Sequence, residues 1–164
     1  MTIRFGILTL SDRSARGERA DSSGPALAAL IQSEGWSVVK QSLLPDEESA
    51  IREILVSWAE SGEVDVILTT GGTGFSPRDV TPEATRAVIE RDAPGLAEAM
   101  RAASLKVTPH AMLSRIVTGI RGKTLIVNLP GSPRGAAENL QVILPVIPHA
   151  VQLLHEDPAS ESTH

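Results

Sequence analysis

Residues rich in Ile, Val and Leu gather in three short apolar runs, Ile3 to Leu10, Val38 to Leu44 and Val64 to Thr70, each followed by turn-forming residues. Runs of this length bounded in this way read as strands. Between the second and third, Ile51, Ile54, Leu55 and Trp58 recur at the i, i+3, i+4, i+7 spacing of an amphipathic helix over Glu47 to Glu60, opened by Pro45-Asp46. Leu27, Leu30 and Ile31 follow Gly24-Pro25 and place another helix between the first two strands. The order β-α-β-α-β predicts right-handed crossovers and an α/β fold: a mainly parallel sheet sandwiched between helices in three layers. In such a fold ligands gather beyond the carboxyl ends of the strands.

The second half predicts helices over Pro82 to Arg91 and Leu96 to Ala103, the first with Thr81 as its N-cap. Arg115 to Ile120 and Thr124 to Leu129 read as a hairpin around Arg121-Gly122-Lys123, one strand of which extends the sheet. Helical patterns interrupted by Pro145 and Pro148 fill Arg134 to Leu154, and His155 to His164 is a polar tail expected to fray. With 164 residues the chain is one domain by size, residues 1 to 154, followed by that tail.

Composition narrows the function classes. Fifteen Lys and Arg against 20 Asp and Glu leave a net charge of -5, so neither nucleic acid nor an anionic membrane is attracted at long range, and a phosphate site must be built locally. The absence of Cys rules out disulfides and thiolate metal sites and makes the cytoplasm the expected compartment. Met1 to Leu10 is interrupted by Arg4 and lacks a secretory signal's length, and no stretch reaches the ~20 apolar residues that span a bilayer.

Thr69-Thr70-Gly71-Gly72-Thr73-Gly74-Phe75 follows the most apolar strand, and three glycines let backbone N–H groups approach an anion without Cβ obstruction. It is neither a P-loop nor a Gly-x-Gly-x-x-Gly fingerprint, and a tight strand-to-helix turn explains it equally well. Asn128-Leu129-Pro130-Gly131-Ser132-Pro133 repeats the strand-to-loop arrangement, with Gly131 as a turn residue and Ser132 as an N-cap in the plainer reading. Asp12, Asp46 and Asp79 follow three parallel strands at one sheet edge, where such carboxylates suit Mg²⁺ bridged to substrate phosphates. The plainer readings are a turn for Asp12, a helix cap for Asp46 and pairing with Arg78 for Asp79. His110, His149, His155 and His164 lack metal-ligand spacing and read as structural or surface residues. Ser11, Ser104 and Ser114 stand in no nucleophile motif.

Ser11-Asp12-Arg13, Leu44-Pro45-Asp46-Glu47, Thr70 to Gly74 continuing through Pro77-Arg78-Asp79-Val80-Thr81-Pro82-Glu83-Ala84, Ala111-Met112-Leu113-Ser114-Arg115 and Leu129-Pro130-Gly131 together resemble the MogA, plant Cnx and gephyrin G-domain family. The resemblance runs in order from about Ile3 to Leu154. It implies a MogA-like fold, usually trimeric, and molybdopterin adenylyltransferase activity: AMP passes from Mg²⁺-ATP to molybdopterin. It assigns Asp46 and Asp79 as catalytic and metal-positioning, Gly71, Gly72, Thr73 and Gly74 as the pterin-phosphate loop, and Asn128, Pro130, Gly131 and Ser132 as a further substrate-facing loop. Ser11, Asp12 and Arg13 border the nucleotide. The molybdate-inserting domain fused in plant and animal relatives is absent, which implies a separate MoeA-like partner. The related MoaB branch usually departs from the Pro-Asp-Glu and Pro-Arg-Asp-Val-Thr-Pro signatures, both kept here. The alternatives are a non-catalytic molybdopterin-binding or scaffold protein of the MoaB type, and a nucleotide-sugar or pyrophosphate hydrolase on the related competence-protein domain.

Overall fold

The computed structural model describes residues 1–163; His164, the last of the four histidines, lies outside the described residues. Six strands form one sheet in the order β2-β1-β3-β6-β5-β4. Strands β1 (Arg4–Leu10), β2 (Ser37–Leu44), β3 (Val66–Thr70) and β6 (Thr124–Leu129) run parallel. Strands β5 (Thr118–Arg121) and β4 (Arg91–Asp92) continue the sheet antiparallel. The hairpin therefore contributes both of its strands, turning at Gly122 with φ 58°.

Alternation along the strands feeds two cores. Phe5, Ile7, Val66, Leu68, Leu125 and Val127 face helices α2 (Ser23–Ser33), α5 (Pro94–Leu105), α6 (Pro133–Ile143) and α7 (Ile147–Leu154). Leu8, Leu10, Ile67 and Ile126 face α3 (Glu48–Glu60) and α4 (Thr81–Val88). The helices thus cover both sheet faces in three layers. Gly6 admits one of these layers closely, because a Cβ there would stand 2.8 Å from the Trp58 ring on α3.

Several expectations are corrected. The helix expected over Pro82 to Arg91 stops at Val88; Ile89 is extended, Glu90 N–H donates to Ile120 O at 2.8 Å, and Arg91–Asp92 becomes the edge strand. Sheet pairing takes over here: Glu90 and Ala93 N–H donate to Ile120 O and Thr118 O instead of continuing the helix. Thr81 is the first helical residue rather than the N-cap, a position held by Val80, and its hydroxyl donates to Gly71 O at 2.9 Å. Strand β5 begins at Thr118 rather than Arg115, because Arg115 N–H donates to Thr73 O and leaves the ladder. The tail continues as a 3₁₀ turn, Pro158–Thr163, with Ser160 buried and His155 Nε2 3.1 Å from Asp65 Oδ1. Among the described residues no helix is long and apolar enough to cross a membrane.

Candidate functional site

Parallel strands β1, β2 and β3 deliver their carboxyl ends to one edge, and β1 and β3 bracket the point where the chain reverses its direction across the sheet. Past β1, Ser11 Oγ accepts Ser14 N–H at 3.1 Å and starts the short helix α1 (Asp12–Ala15). Asp12 and Asp46 clasp each other: Asp12 N–H donates to Asp46 Oδ2 and Asp46 N–H to Asp12 Oδ1, both at 3.0 Å. Arg78 reaches across from the loop after β3 and forks onto both oxygens of Asp12, at 2.9 and 3.0 Å, while also donating to Glu47.

The glycine loop needs its glycines. Gly71 and Gly72 have φ of 105° and 68°, and a Cβ on Gly71 would collide with Leu10 O. A Cβ on Gly72 would collide with Thr81 Oγ1 and stand 2.9 Å from Asp46 Oδ1. The second loop packs onto the first: Thr70 Oγ1 donates to Pro130 O at 2.7 Å, and a Cβ on Gly131 would reach within 3.3 Å of Gly71 Cα. Ser132 does cap α6, accepting Gly135 N–H at 3.0 Å.

Two cavities result. The larger, about 610 Å³, is bordered by Ser11, Asp12, Arg13, Asp46, Gly71, Gly72 and Asp79 together with Gly131 and Ser132. The smaller, about 310 Å³, is bordered by Thr73, Gly74, Pro130 and Ser132 together with Ser104, Ser114 and Asn139. Ser132 borders both. The two loops thus form a wall with a cavity on each side.

Electrostatics separate the aspartates. The Arg78 guanidinium, aided by the Asp46 N–H, holds the Asp12 carboxyl at about 2. Burial, reinforced by the charges of Asp12 and Asp79, pushes Asp46 above the usual carboxylate range although the Asp12 N–H opposes it. Asp46 Oδ1 is buried and accepts no hydrogen bond among the described residues. Asp46 is not the cap of α3, whose N-cap is Glu47, so the plainer reading of this residue fails. The plainer reading of Asp79 fails as well, because Arg78 pairs with Asp12 and Glu47 instead, while Asp79 Oδ2 accepts Ser76 N–H at 3.0 Å within its own turn.

These residues fit one kind of metal better than another. Among the described residues no three His, Cys, Asp or Glu side chains converge as a cage. The idea of three aspartates around one ion is corrected, because Arg78 and a backbone N–H occupy Asp12. An orphaned Asp46 oxygen with Asp79 as its charged neighbour suits Mg²⁺, which takes one or two carboxylates and completes its shell with substrate phosphates and water.

Asn128 is corrected in placement. Expected to face substrate, it is fully buried and borders neither cavity. Its amide accepts Val117 N–H at 3.0 Å and donates to Thr69 and Thr85 hydroxyls at 2.9 Å each, so it ties β3, β6 and α4 together behind the loop. The sequence reading also missed wall residues. Asp21, which accepts from Thr9 Oγ1 and Gly24 N–H, borders the larger cavity with Arg16 and Arg19. His110 and Arg101 border the smaller one, where the Ser114 hydroxyl is buried without a partner. No local motif marks these residues; the motif Ala111 to Arg115 was the one available signal for Ser114.

Fold and site together define a three-layer α/β domain with a divided ligand crevice at the carboxyl edge of its parallel strands. Residues 6–149 match the family described as "Probable molybdopterin binding domain". The solved "Molybdopterin biosynthesis enzyme MoaB" of Thermus thermophilus is 50% identical, with a TM-score of 0.90 over 96% of this chain and 99% of that one. The molybdopterin adenylyltransferase of Helicobacter pylori J99 is 40% identical over 93% of this chain and 88% of its own length. Gephyrin of Dictyostelium discoideum is 44% identical over 94% of this chain, which spans about a quarter of that protein, 23%. The chain belongs to the molybdopterin-binding domain family.

Proposed function

We propose that this protein is a molybdopterin adenylyltransferase of molybdenum cofactor biosynthesis. A terminal phosphate oxygen of molybdopterin attacks the α-phosphorus of ATP, the bond from that phosphorus to the bridging β-phosphate oxygen breaks, and pyrophosphate leaves. The attacking oxygen is already anionic near neutral pH, so no strong general base is needed. The demand is to bring two polyanions into line, which positioning and electrostatic stabilisation meet.

The observation that carries this reading is Asp46 Oδ1, a buried carboxylate oxygen with no hydrogen bond among the described residues, set against Gly72 at the border of the larger cavity. Such an oxygen is costly unless a ligand completes it. Asp46 and Asp79 would hold Mg²⁺, which when bound neutralises charge on the transferring phosphoryl group. Ser11, Asp12 and Arg13 border the space for ATP, with Arg16 and Arg19 nearby to meet its phosphates. Gly71 to Gly74, with Pro130 to Ser132, present the pterin phosphate from the dividing wall. Family resemblance supports a cytoplasmic homotrimer working with a MoeA-like molybdate-inserting protein.

Purified protein incubated with molybdopterin and Mg²⁺-ATP is expected to form adenylylated molybdopterin and pyrophosphate in equal amounts. Pyrophosphate without the adenylylated pterin would replace this reading with a hydrolase. Tight molybdopterin binding with neither product would replace it with the MoaB-type binding protein.

A further inference from the structure

Arg115 borders neither cavity, yet it holds the segment between them at several points. Its backbone N–H donates to Thr73 O at 2.9 Å. Its Nε donates to Gly74 O and one terminal nitrogen to Asp79 O, both at 2.8 Å. The same guanidinium forks onto both carboxylate oxygens of Glu83, at 2.7 and 3.2 Å. One planar group therefore fixes both ends of the excursion from Gly74 to Asp79 and the helix that follows. Thr73 and Gly74 face the smaller cavity, whereas Asp79 faces the larger.

We infer that Arg115 is a positioning residue for adenylyl transfer: by clamping the carbonyls of Gly74 and Asp79 to Glu83, it aims the Asp79 carboxylate at the metal and nucleotide while the loop's other end meets the pterin side. This rests on the function proposed above. Among the described residues the Asp79 carboxylate is otherwise restrained only by the Ser76 N–H of its own turn, so its direction follows from the backbone that Arg115 holds. A lysine keeps the charge and lacks the rigid fork, so it cannot serve two carbonyls and a carboxylate at once.

The test compares Arg115→Ala, Arg115→Lys and Glu83→Gln with the wild type by amide hydrogen exchange without ligand, and by Mn²⁺ affinity in the presence of α,β-methylene-ATP, read by electron paramagnetic resonance. Arg115→Ala is expected to exchange tenfold or more faster over residues 73 to 83 while the β1, β3 and β6 amides keep their protection. Mn²⁺ affinity should fall about tenfold or more, as when a group supporting a metal ligand is removed. The Lys and Gln variants should shift the same way by less, and they decide the matter if the Ala variant does not fold. Wild-type exchange and wild-type Mn²⁺ affinity in the folded variants would overturn the inference. So would faster exchange spread evenly over the whole sheet, which marks a purely structural residue. Should the wild type bind Mn²⁺ and the analogue but transfer no AMP, the proposed function fails, and the exchange and Mn²⁺ shifts still report on Arg115.

Discussion

Asp12 and Asp46 each accept the other's backbone N–H, yet Asp46 alone keeps a buried oxygen without a partner. Replacing it by Asn leaves an acceptor for the Asp12 N–H and removes the charge, so Asp46→Asn is expected to fold and to lose about 10²-fold or more in adenylyl transfer. Asp79→Asn should behave alike, with molybdopterin retention near normal; a steady-state assay beside a retention assay separates the two effects. Turnover near the wild-type rate in both folded variants would return these residues to the role of turn formers. The two acids respond to pH with opposite sign. Asp12 is depressed from 3.8 to about 2, so the stability it contributes is complete above 3.8 and is lost as pH falls through about 2. Asp46 is raised, so its ionisation costs the ligand-free fold stability as pH rises through its elevated value. Arg78→Gln frees Asp12 and is expected to move the onset of acid unfolding upward, towards 3.8, in a circular dichroism titration; an unmoved onset would show that the Arg78 fork adds nothing to stability.

At the scale of elements, the alternation of β1, α2, β2, α3 and β3 was readable because each strand is a short apolar run and each helix carries an apolar stripe. Strand β4 was not, because two residues, Arg91 and Asp92, carry no period and pair only through Gly119 and Ile120. The site was legible in part for the same reason. Asp46, Asp79 and the glycines stand directly after strands, so topology alone brings them to one edge. The partner of Arg78, the clamp of Arg115 and the burial of Asn128 depend on contacts between residues 11 to 66 positions apart, which no local pattern encodes. Gly72→Val does more than block a ligand, since its Cβ would meet Thr81 Oγ1 and crowd Asp46 Oδ1 at a φ of 68°. It should cost about 1–2 kcal/mol from backbone strain alone and weaken metal-dependent nucleotide binding as well as pterin binding, seen as a lowered Tm together with a lowered Mn²⁺ affinity. Asn128→Ala leaves the buried Val117 N–H unpaired and should lower stability by about 1–3 kcal/mol in urea titration without altering the lining of either cavity.

For the whole molecule, a net charge of -5 gives no long-range attraction to a polyanion, so the proposed ATP site rests on local donors and the proposed metal. Calorimetry should show ATP binding that weakens strongly after chelation of divalent metal, whereas equal affinity with and without Mg²⁺ would remove the metal role given to Asp46 and Asp79. Exposed Phe75, Val107, Met112 and Leu113 offer apolar area that self-association would cover, and light scattering is expected to give three times the chain mass. A stable monomer at micromolar concentration would defeat the trimer. The close approach at Gly6 has an optical consequence. Trp58 lies over Gly6 in one core, and Trp36 stacks on Phe5 in the other, with ring centroids 5.6 Å apart. The chain has two Trp and no Tyr, so its intrinsic fluorescence comes from one indole in each layer, on opposite faces of β1. Trp36→Phe and Trp58→Phe therefore yield two single-emitter proteins, each a separate witness to the melting of its own layer, and coincident denaturation curves from the pair would mark the three layers as one cooperative unit.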